Sequence, residues 1–387
     1  MTTDPATDEP GEGTPPARRT GWRRLLPPWS PGVLVLVLAL FAVGLLLFPN
    51  LRQPATTEPQ PLAAAWPKAV VGSVPAAMPD GPAYDPLYVL TPTVSAGTAP
   101  TPDGAASRLV VWDTASVPRV LKTLPLADDP LFAGVTASGD TLLWAETISG
   151  GGGSAISELW SADWRRDVPP RRLTTATGAL AFFNSQHDLT VAENRVHWVA
   201  LGAGETPVTE IRSTPLTGGA VAIQKLAGQW ALSAWPWLVS AVSASTGEAQ
   251  LHNLVENRQI RVPSSASELV TCSPAWCRVQ VVGADGPTQL DLMRVDGSQR
   301  RRVAGPGATA AITDVAVLDR YEVLTRVGGQ GAVDSQQDLL LYDAAGRRTV
   351  EVARGVGMVN SRGGWLWWST GQDDTTAWRL LDLRSLR

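Results

Sequence analysis

A unit of apolar run, turn and second apolar run recurs seven times along this chain. That repetition restricts the fold more than any other feature. The copies are 109–123 (LVVWDTASVPRVLKT), 158–174 (ELWSADWRRDVPPRRLT), 210–226 (EIRSTPLTGGAVAIQKL), 250–263 (QLHNLVENRQIRVP), 289–303 (QLDLMRVDGSQRRRV), 339–352 (LLLYDAAGRRTVEV) and a truncated 378–386 (WRLLDLRSL). Each is a β-hairpin pattern, with Asp, Asn or Gly in or beside most of the turns. Equivalent positions are Trp112, Trp160, Arg212, His252, Met293, Tyr342 and Leu381, separated by 48, 52, 40, 41, 49 and 39 residues. A mean period of about 45 residues is the spacing of propeller blades.

An inner strand precedes each hairpin, at Tyr88-Val89, Leu143-Trp144, His197-Trp198, Leu238-Val239, Arg278-Val279, Glu322-Val323 and Leu366-Trp367. Such a unit cannot bury both faces alone, but four-stranded blades packed around an axis can, and the ring removes long open edges. The expected fold is therefore all-β, a β-propeller of about seven four-stranded blades over residues 68–387, with six or eight blades also compatible with such degenerate copies. A β-sandwich is the competing arrangement. The last copy runs out of chain after one outer strand, so residues 68–74 (KAVVGSV) are expected to complete it and close the ring.

Ahead of the repeat the sequence changes character. Residues 1–31 are rich in Pro, with acidic residues early and Arg18, Arg19, Arg23 and Arg24 late, and are expected to be a disordered cytoplasmic tail. Residues 32–48 (GVLVLVLALFAVGLLLF) carry no polar side chain and are expected to form a transmembrane signal-anchor helix; a cleaved signal peptide is the alternative. The Arg cluster before it and the few basic residues after it orient the helix with its N-terminus inside, a single pass of the cytoplasmic membrane with the large domain outside. Residues 49–67, with five prolines, are expected to be a semi-extended linker.

The chemistry-bearing residues are few. The chain has two cysteines, Cys272 and Cys277, and for an exported domain their spacing predicts a disulfide rather than a metal or redox pair. His187, His197 and His252 fall in different blades without ligand spacing, so ordinary structural roles are expected, and neither a metal nor another cofactor is implied. The Gly150–Gly153 run lacks the Lys-Ser or Lys-Thr of a phosphate loop, and the Asp128-Asp129 and Asp373-Asp374 pairs lack the alternating oxygens of a calcium loop. A net charge of -4 gives no sign of nucleic-acid binding. Among the 16 tryptophans core packing is the default expectation, while Trp235, Trp237, Trp365 and Trp368 flank a turn or share a strand, where alternation can expose some of them for stacking on a sugar or a partner.

Units such as LLLYDAAGRRTVEV and QLDLMRVDGSQRRRV resemble those of the TolB-like and WD40-like propellers of the bacterial envelope, although the regular Gly-His and Trp-Asp pairs of WD40 repeats are missing. The resemblance covers about residues 68–387 and implies protein–protein contact in the envelope. With no catalytic motif in the chain, the expected function is a non-enzymatic binding or scaffold module for an envelope protein or a cell-wall polymer. The alternative is a propeller hydrolase or lyase acting on extracellular glycans, which requires converging carboxylates in the central funnel, about 5–9 Å apart in a glycosidase.

Overall fold

The computed structural model describes residues 58–387, apart from residues 150–154, 242–247, 285, 328–336 and 373–374. Its strands form six hydrogen-bonded sheets: four of four strands, one of five and one of eight. The eight-stranded sheet is two blades joined through one long strand, Arg348–Arg362. Up to about Val356 this strand is the outermost of one blade, pairing with Gln337–Asp343; beyond that point it is the innermost of the next, pairing with Trp365–Thr370. The five-stranded sheet is one blade whose innermost strand is broken into Ala179–Leu180 and Thr190–Ala192. Divided in this way the domain is a ring of seven four-stranded blades, numbered here in chain order from Asp85–Val89, the first strand of blade 1.

The core shows why the chain closes into a ring. It lies in seven apolar clusters, each shared by two consecutive blades. The seventh joins blade 7 (Trp365, Trp367, Trp378, Leu380) to blade 1 (Val89, Val110, Trp112), so the circuit has no open end. Two indole N–H groups pin this junction: Trp367 donates to the Pro86 carbonyl and Trp378 to the Tyr84 carbonyl, both at 3.0 Å. Because blades pack on both faces, their middle strands are apolar almost continuously. In Tyr321–Val327 and Ala106–Asp113 five consecutive residues are buried, whereas the outermost Arg119–Pro125 buries only Leu121 and Leu124.

The seven hairpins of the sequence fall on the third and fourth strands of the blades. The ring closes as expected: Val71–Val74 adds antiparallel to Ala377–Asp382 and supplies the missing fourth strand of blade 7. One register differs. The pairs read as inner strands lie, in six blades, on the second strand, and only Tyr88-Val89 is on a first strand. The innermost strands are short, as in Trp230–Leu232 and Ala308–Ala310, so they leave little apolar signal.

The proline-rich stretch expected as linker is already folded by its second half. Gln60–Pro61 pairs in parallel with Val350 and Glu351 of blade 6, and a one-turn helix, Leu62–Ala65, leads to the buried Trp66. Three apolar side chains, Leu62, Ala65 and Trp66, outweigh the extended preference of the prolines by burying themselves between blades 6 and 7. Trp66 packs edge-on to Tyr321 with ring centroids 6.0 Å apart, and Arg348 both covers the indole and donates to the Ala65 carbonyl at 3.1 Å. The Tyr321 hydroxyl donates to the Leu386 carbonyl at 3.0 Å, so both ends of the domain are fastened to blade 6. Trp66→Ala is expected to destabilise the domain by about 3–5 kcal/mol, the usual result of emptying a buried tryptophan site, as read from the urea midpoint.

The expected membrane localisation is corrected. Among the described residues no helix is long and apolar enough to cross a membrane, and the only α-helix has four residues. The span expected at residues 32–48, like the tail at 1–31, lies outside the described residues.

Candidate functional site

The break in the first strand of blade 3 creates the most unusual local structure of the domain. Residues 181–189 (AFFNSQHDL) leave the sheet and reach blades 6 and 7, to which they are hydrogen-bonded across more than 120 positions of sequence. The sequence explains the excursion. Ser185, Gln186 and Asp188 satisfy backbone groups from their side chains and compete with the strand ladder, and Asn184 takes a left-handed φ of 56°.

Asp188 folds the segment on itself by accepting the N–H groups of Phe183 at 2.9 Å and Ser185 at 3.1 Å. Asp314 of blade 6 receives the Ser185 hydroxyl at 2.6 Å and the Gln186 N–H at 3.0 Å. From blade 7, Arg362 donates to the Ser185 carbonyl at 2.8 Å and the Asn184 side-chain oxygen at 3.4 Å, while the Gly363 N–H donates to Gln186 Oε1 at 3.3 Å. The Asp314 loop is itself fixed from blade 5: Arg278 is ion-paired with the fully buried Glu322 and donates to the carbonyls of Thr313 and Asp314, and Glu322 accepts the Ala316 N–H at 2.8 Å.

Against this segment lies a cleft of about 190 Å³. Its walls come from the first strands or turns of four blades: Tyr88 of blade 1, Thr136 to Ser138 of blade 2, Gln186, His187 and Leu189 to Val191 of blade 3, and Gly363 of blade 7. A second void of about 20 Å³ adjoins Asn184, Asp314 and Arg362. Gly363 has a left-handed φ of 57°, and a Cβ there would stand 2.7 Å from the Tyr88 hydroxyl, so any other residue would push the phenol out of place.

The electrostatics favour neutral groups at the cleft. Burial pushes the pKa of His187 down, opposed by the Asp314 carboxylate and assisted by the Arg362 cation, so the imidazole is unprotonated at neutral pH. Its ring nitrogens have no hydrogen-bond partner among the described residues; its backbone N–H, by contrast, is held by Ser185 Oγ at 3.0 Å. Burial raises the pKa of Tyr88 and keeps its phenol protonated. Burial also drives Asp188 up to about 6, more than its two N–H donors lower it. The folded state therefore binds a proton at Asp188 that the unfolded chain releases between about pH 4 and 6. This contribution to stability is expected to fall by up to about 3 kcal/mol as pH rises through that window. Asp188→Asn, which keeps the shape without the charge, is expected to flatten the dependence in urea titrations at pH 4, 5 and 7.

Several residues singled out in the sequence lie elsewhere. Cys272 and Cys277 form the disulfide, facing each other on the first two strands of blade 5. It closes so small a loop that replacing both with serine is expected to cost about 2 kcal/mol, seen as a lower denaturant midpoint without loss of the fold. Trp365 and Trp368 are buried, 6% and 2% exposed, which corrects the expectation that alternation would expose them; their strand is a middle strand covered on both faces. Trp235 and Trp237 are half-buried. Trp235 stacks on His197 at 3.7 Å between centroids, and the Arg258 guanidinium lies over Trp237. His252 meets Trp230 edge-on, so the three histidines stay in separate surroundings. Among the described residues no group of three or more His, Cys, Asp or Glu is placed to hold a metal. Gly150–Gly153 and Asp373-Asp374 lie outside the described residues.

Sequence reasoning treated His187 as structural and passed over Tyr88, Gln186, Arg362 and Gly363. Two signals pointed to them: the longest gap of the repeat, 52 residues, precedes blade 3's hairpin, and it contains the polar run Asn184 to Asp188 where an inner strand should be.

No protein-family profile matches this chain, and no curated protein matches it in sequence. Solved structures do match. The β-propeller domain of the trilobed protease from Pyrococcus furiosus is similar at TM-score 0.44 and 10% identity, over 65% of this chain and 83% of that one. A puromycin-hydrolyzing peptidase of Mycobacterium tuberculosis is similar at TM-score 0.50 and 14% identity over 82% of this chain, which spans 56% of the peptidase. TolB from Acinetobacter baumannii is similar at TM-score 0.37 and 11% identity, over 74% of this chain and 79% of that one. The expectation that the chain is not an enzyme is corrected to this extent: a solved structure of similar fold, at TM-score 0.50, is a peptidase.

Proposed function

We propose that this chain is a glycan-processing propeller, a hydrolase or lyase, that works on a cell-wall polymer in the cleft between the crossing segment of blade 3 and blades 1, 2 and 7. The observation that carries this reading is the unprotonated, unbonded imidazole of His187 sharing one cleft with the protonated phenol of Tyr88. A neutral imidazole accepts a proton and a phenol delivers one, so the pair supplies both halves of acid–base catalysis near neutral pH. Hydroxyl groups of Thr136, Ser138 and Thr190 line the same walls and suit the hydroxyls of a sugar ring. Ser185 is not placed as a peptidase nucleophile. The Ser185 hydroxyl gives its proton to Asp314, and its oxygen accepts from a backbone N–H rather than facing an imidazole.

The test is incubation of the protein with a panel of neutral and acidic polysaccharides, following new reducing ends and the masses of the products. Release of fragments from one polymer class is the expected result. Binding to polymers without fragment release across the panel contradicts the reading.

A further inference from the structure

The two buried arginines of this domain are paired with carboxylates, Arg278 with Glu322 and Arg108 with Asp80. Arg362, at the axis, differs. It is half-buried, and its hydrogen-bond acceptors, the Ser185 carbonyl and the Asn184 amide oxygen, are both uncharged. The nearest acids, Asp188 and Asp314, act on it through space but do not form an ion pair with it. Both are already committed, Asp188 to the N–H groups of Phe183 and Ser185, Asp314 to Ser185 and Gln186. A guanidinium taken out of water without an ion-pair partner is costly, and an anion brought beside it removes that cost.

Its position gives the anion a setting. Arg362 borders the smaller void and precedes Gly363, whose lack of a side chain leaves the cleft open beside Tyr88. The groups lining the larger cleft are uncharged: the Tyr88 phenol, the Gln186 amide, the His187 ring and the hydroxyls of Thr136 and Ser138. The smaller void that Arg362 borders is also lined by the Asp314 carboxylate, whose two oxygens are taken up by Ser185 and Gln186. One cation next to a wall of neutral hydroxyl and amide groups matches a ligand with one carboxylate on a polyhydroxylated ring.

We infer that the cleft takes an acidic sugar, a uronate unit of a polymer, with its carboxylate directed to Arg362 and its ring hydroxyls to the walls formed by blades 1 and 2. The assignment rests on the glycan-processing reading and narrows its substrate class. Pairing with Arg362 offsets the charge that develops on the carboxylate as the neighbouring C5 proton passes to the His187 imidazole; the C4–O bond to the next sugar then breaks, a C4–C5 double bond forms, and the leaving oxygen takes its proton from the Tyr88 phenol.

The test is calorimetric titration of the full chain with D-glucuronate, D-glucose and acetate. Glucuronate is expected to bind at least about tenfold more tightly than either control, the ordinary worth of one charge-assisted contact. Raising the salt from about 50 to 500 mM is expected to weaken glucuronate severalfold and to leave glucose unchanged. Arg362→Gln is expected to abolish the preference for glucuronate over glucose, and Arg362→Lys to retain part of it. If Arg362→Gln does not fold, the salt series on the unaltered chain decides. Glucose binding as tightly as glucuronate overturns the inference while the glycan reading stands, and so does turnover confined to neutral polymers. Acetate binding as tightly as glucuronate also overturns it, because the site is then a bare anion site. Absence of binding by all three, together with absence of turnover, overturns both.

Discussion

Replacing Glu322 with leucine is expected to destabilise the domain by about 3–5 kcal/mol, the largest effect of any single substitution outside the apolar core. Glu322 is wholly buried, and its two oxygens are used by Arg278 and by the Ala316 N–H. Removing it leaves the Arg278 guanidinium buried without a counter-charge and frees the Ala316 N–H. The loss of one partner is what costs so much; the pair as a whole gives little net stability, since both charges left water to form it. The double variant Arg278→Met with Glu322→Leu is therefore expected to recover much of the loss. Urea denaturation of the two single variants and the double variant closes the cycle. The same substitution should loosen the site at a distance. Arg278 holds the carbonyls of Thr313 and Asp314, and Asp314 holds Ser185 and Gln186. Hydrogen exchange in residues 181–189 is expected to speed up in Glu322→Leu, while the blade 1 to blade 2 core is unaffected.

His187→Asn is expected to lower turnover by a factor of about 10²–10⁴, the usual contribution of a proton-transfer group, without unfolding the protein. The imidazole makes no hydrogen bond within the described residues, and the backbone contact to Ser185 Oγ and the bond from the Thr190 hydroxyl to the His187 carbonyl are independent of the side chain. The effect should appear in kcat more than in KM, because the group acts on the proton in flight rather than on the resting substrate. The acid limb of the pH–rate profile should lie below the ordinary histidine range, as the burial of His187 requires, and Asp314→Asn should move it further down by removing the carboxylate that opposes the shift. Asn at position 187 should abolish that limb.

The ring was legible in the sequence because its signal is redundant. Seven hairpins repeat the same chemistry, and the truncated last copy demanded a closing strand from the N-terminal side, which Val71–Val74 supplies. The innermost strands were not legible. Ala308–Ala310 and Trp230–Leu232 have three residues each, and their pairing partner rather than their own composition makes them strands. The site uses the innermost strands or turns of blades 1, 2, 3 and 7 and was hidden because its residues meet only in the closed ring. Tyr88 and Gly363 become neighbours only when blade 7 meets blade 1, and Asp314 reaches Ser185 across 129 positions. Spacing rules find ligands on one element, and none of these residues shares one. The tryptophans failed in the opposite way. Trp365 and Trp368 were read by alternation, which holds for a sheet with one wet face, but a middle strand of a blade has none.

The most direct test of the central claim, that the crossing segment of blade 3 builds the working cleft, uses the scarcity of histidine. The chain has three, so labelling the ring carbons gives three resonances, for His187, His197 and His252. In a titration with fragments of the polymer that the protein turns over, the account predicts that the His187 resonance moves in proportion to occupancy. Those of His197, stacked on Trp235, and His252, against Trp230, should stay where they are. Movement of His197 or His252 with His187 unchanged would contradict it and transfer the site to the aromatic groups between blades 3 and 4.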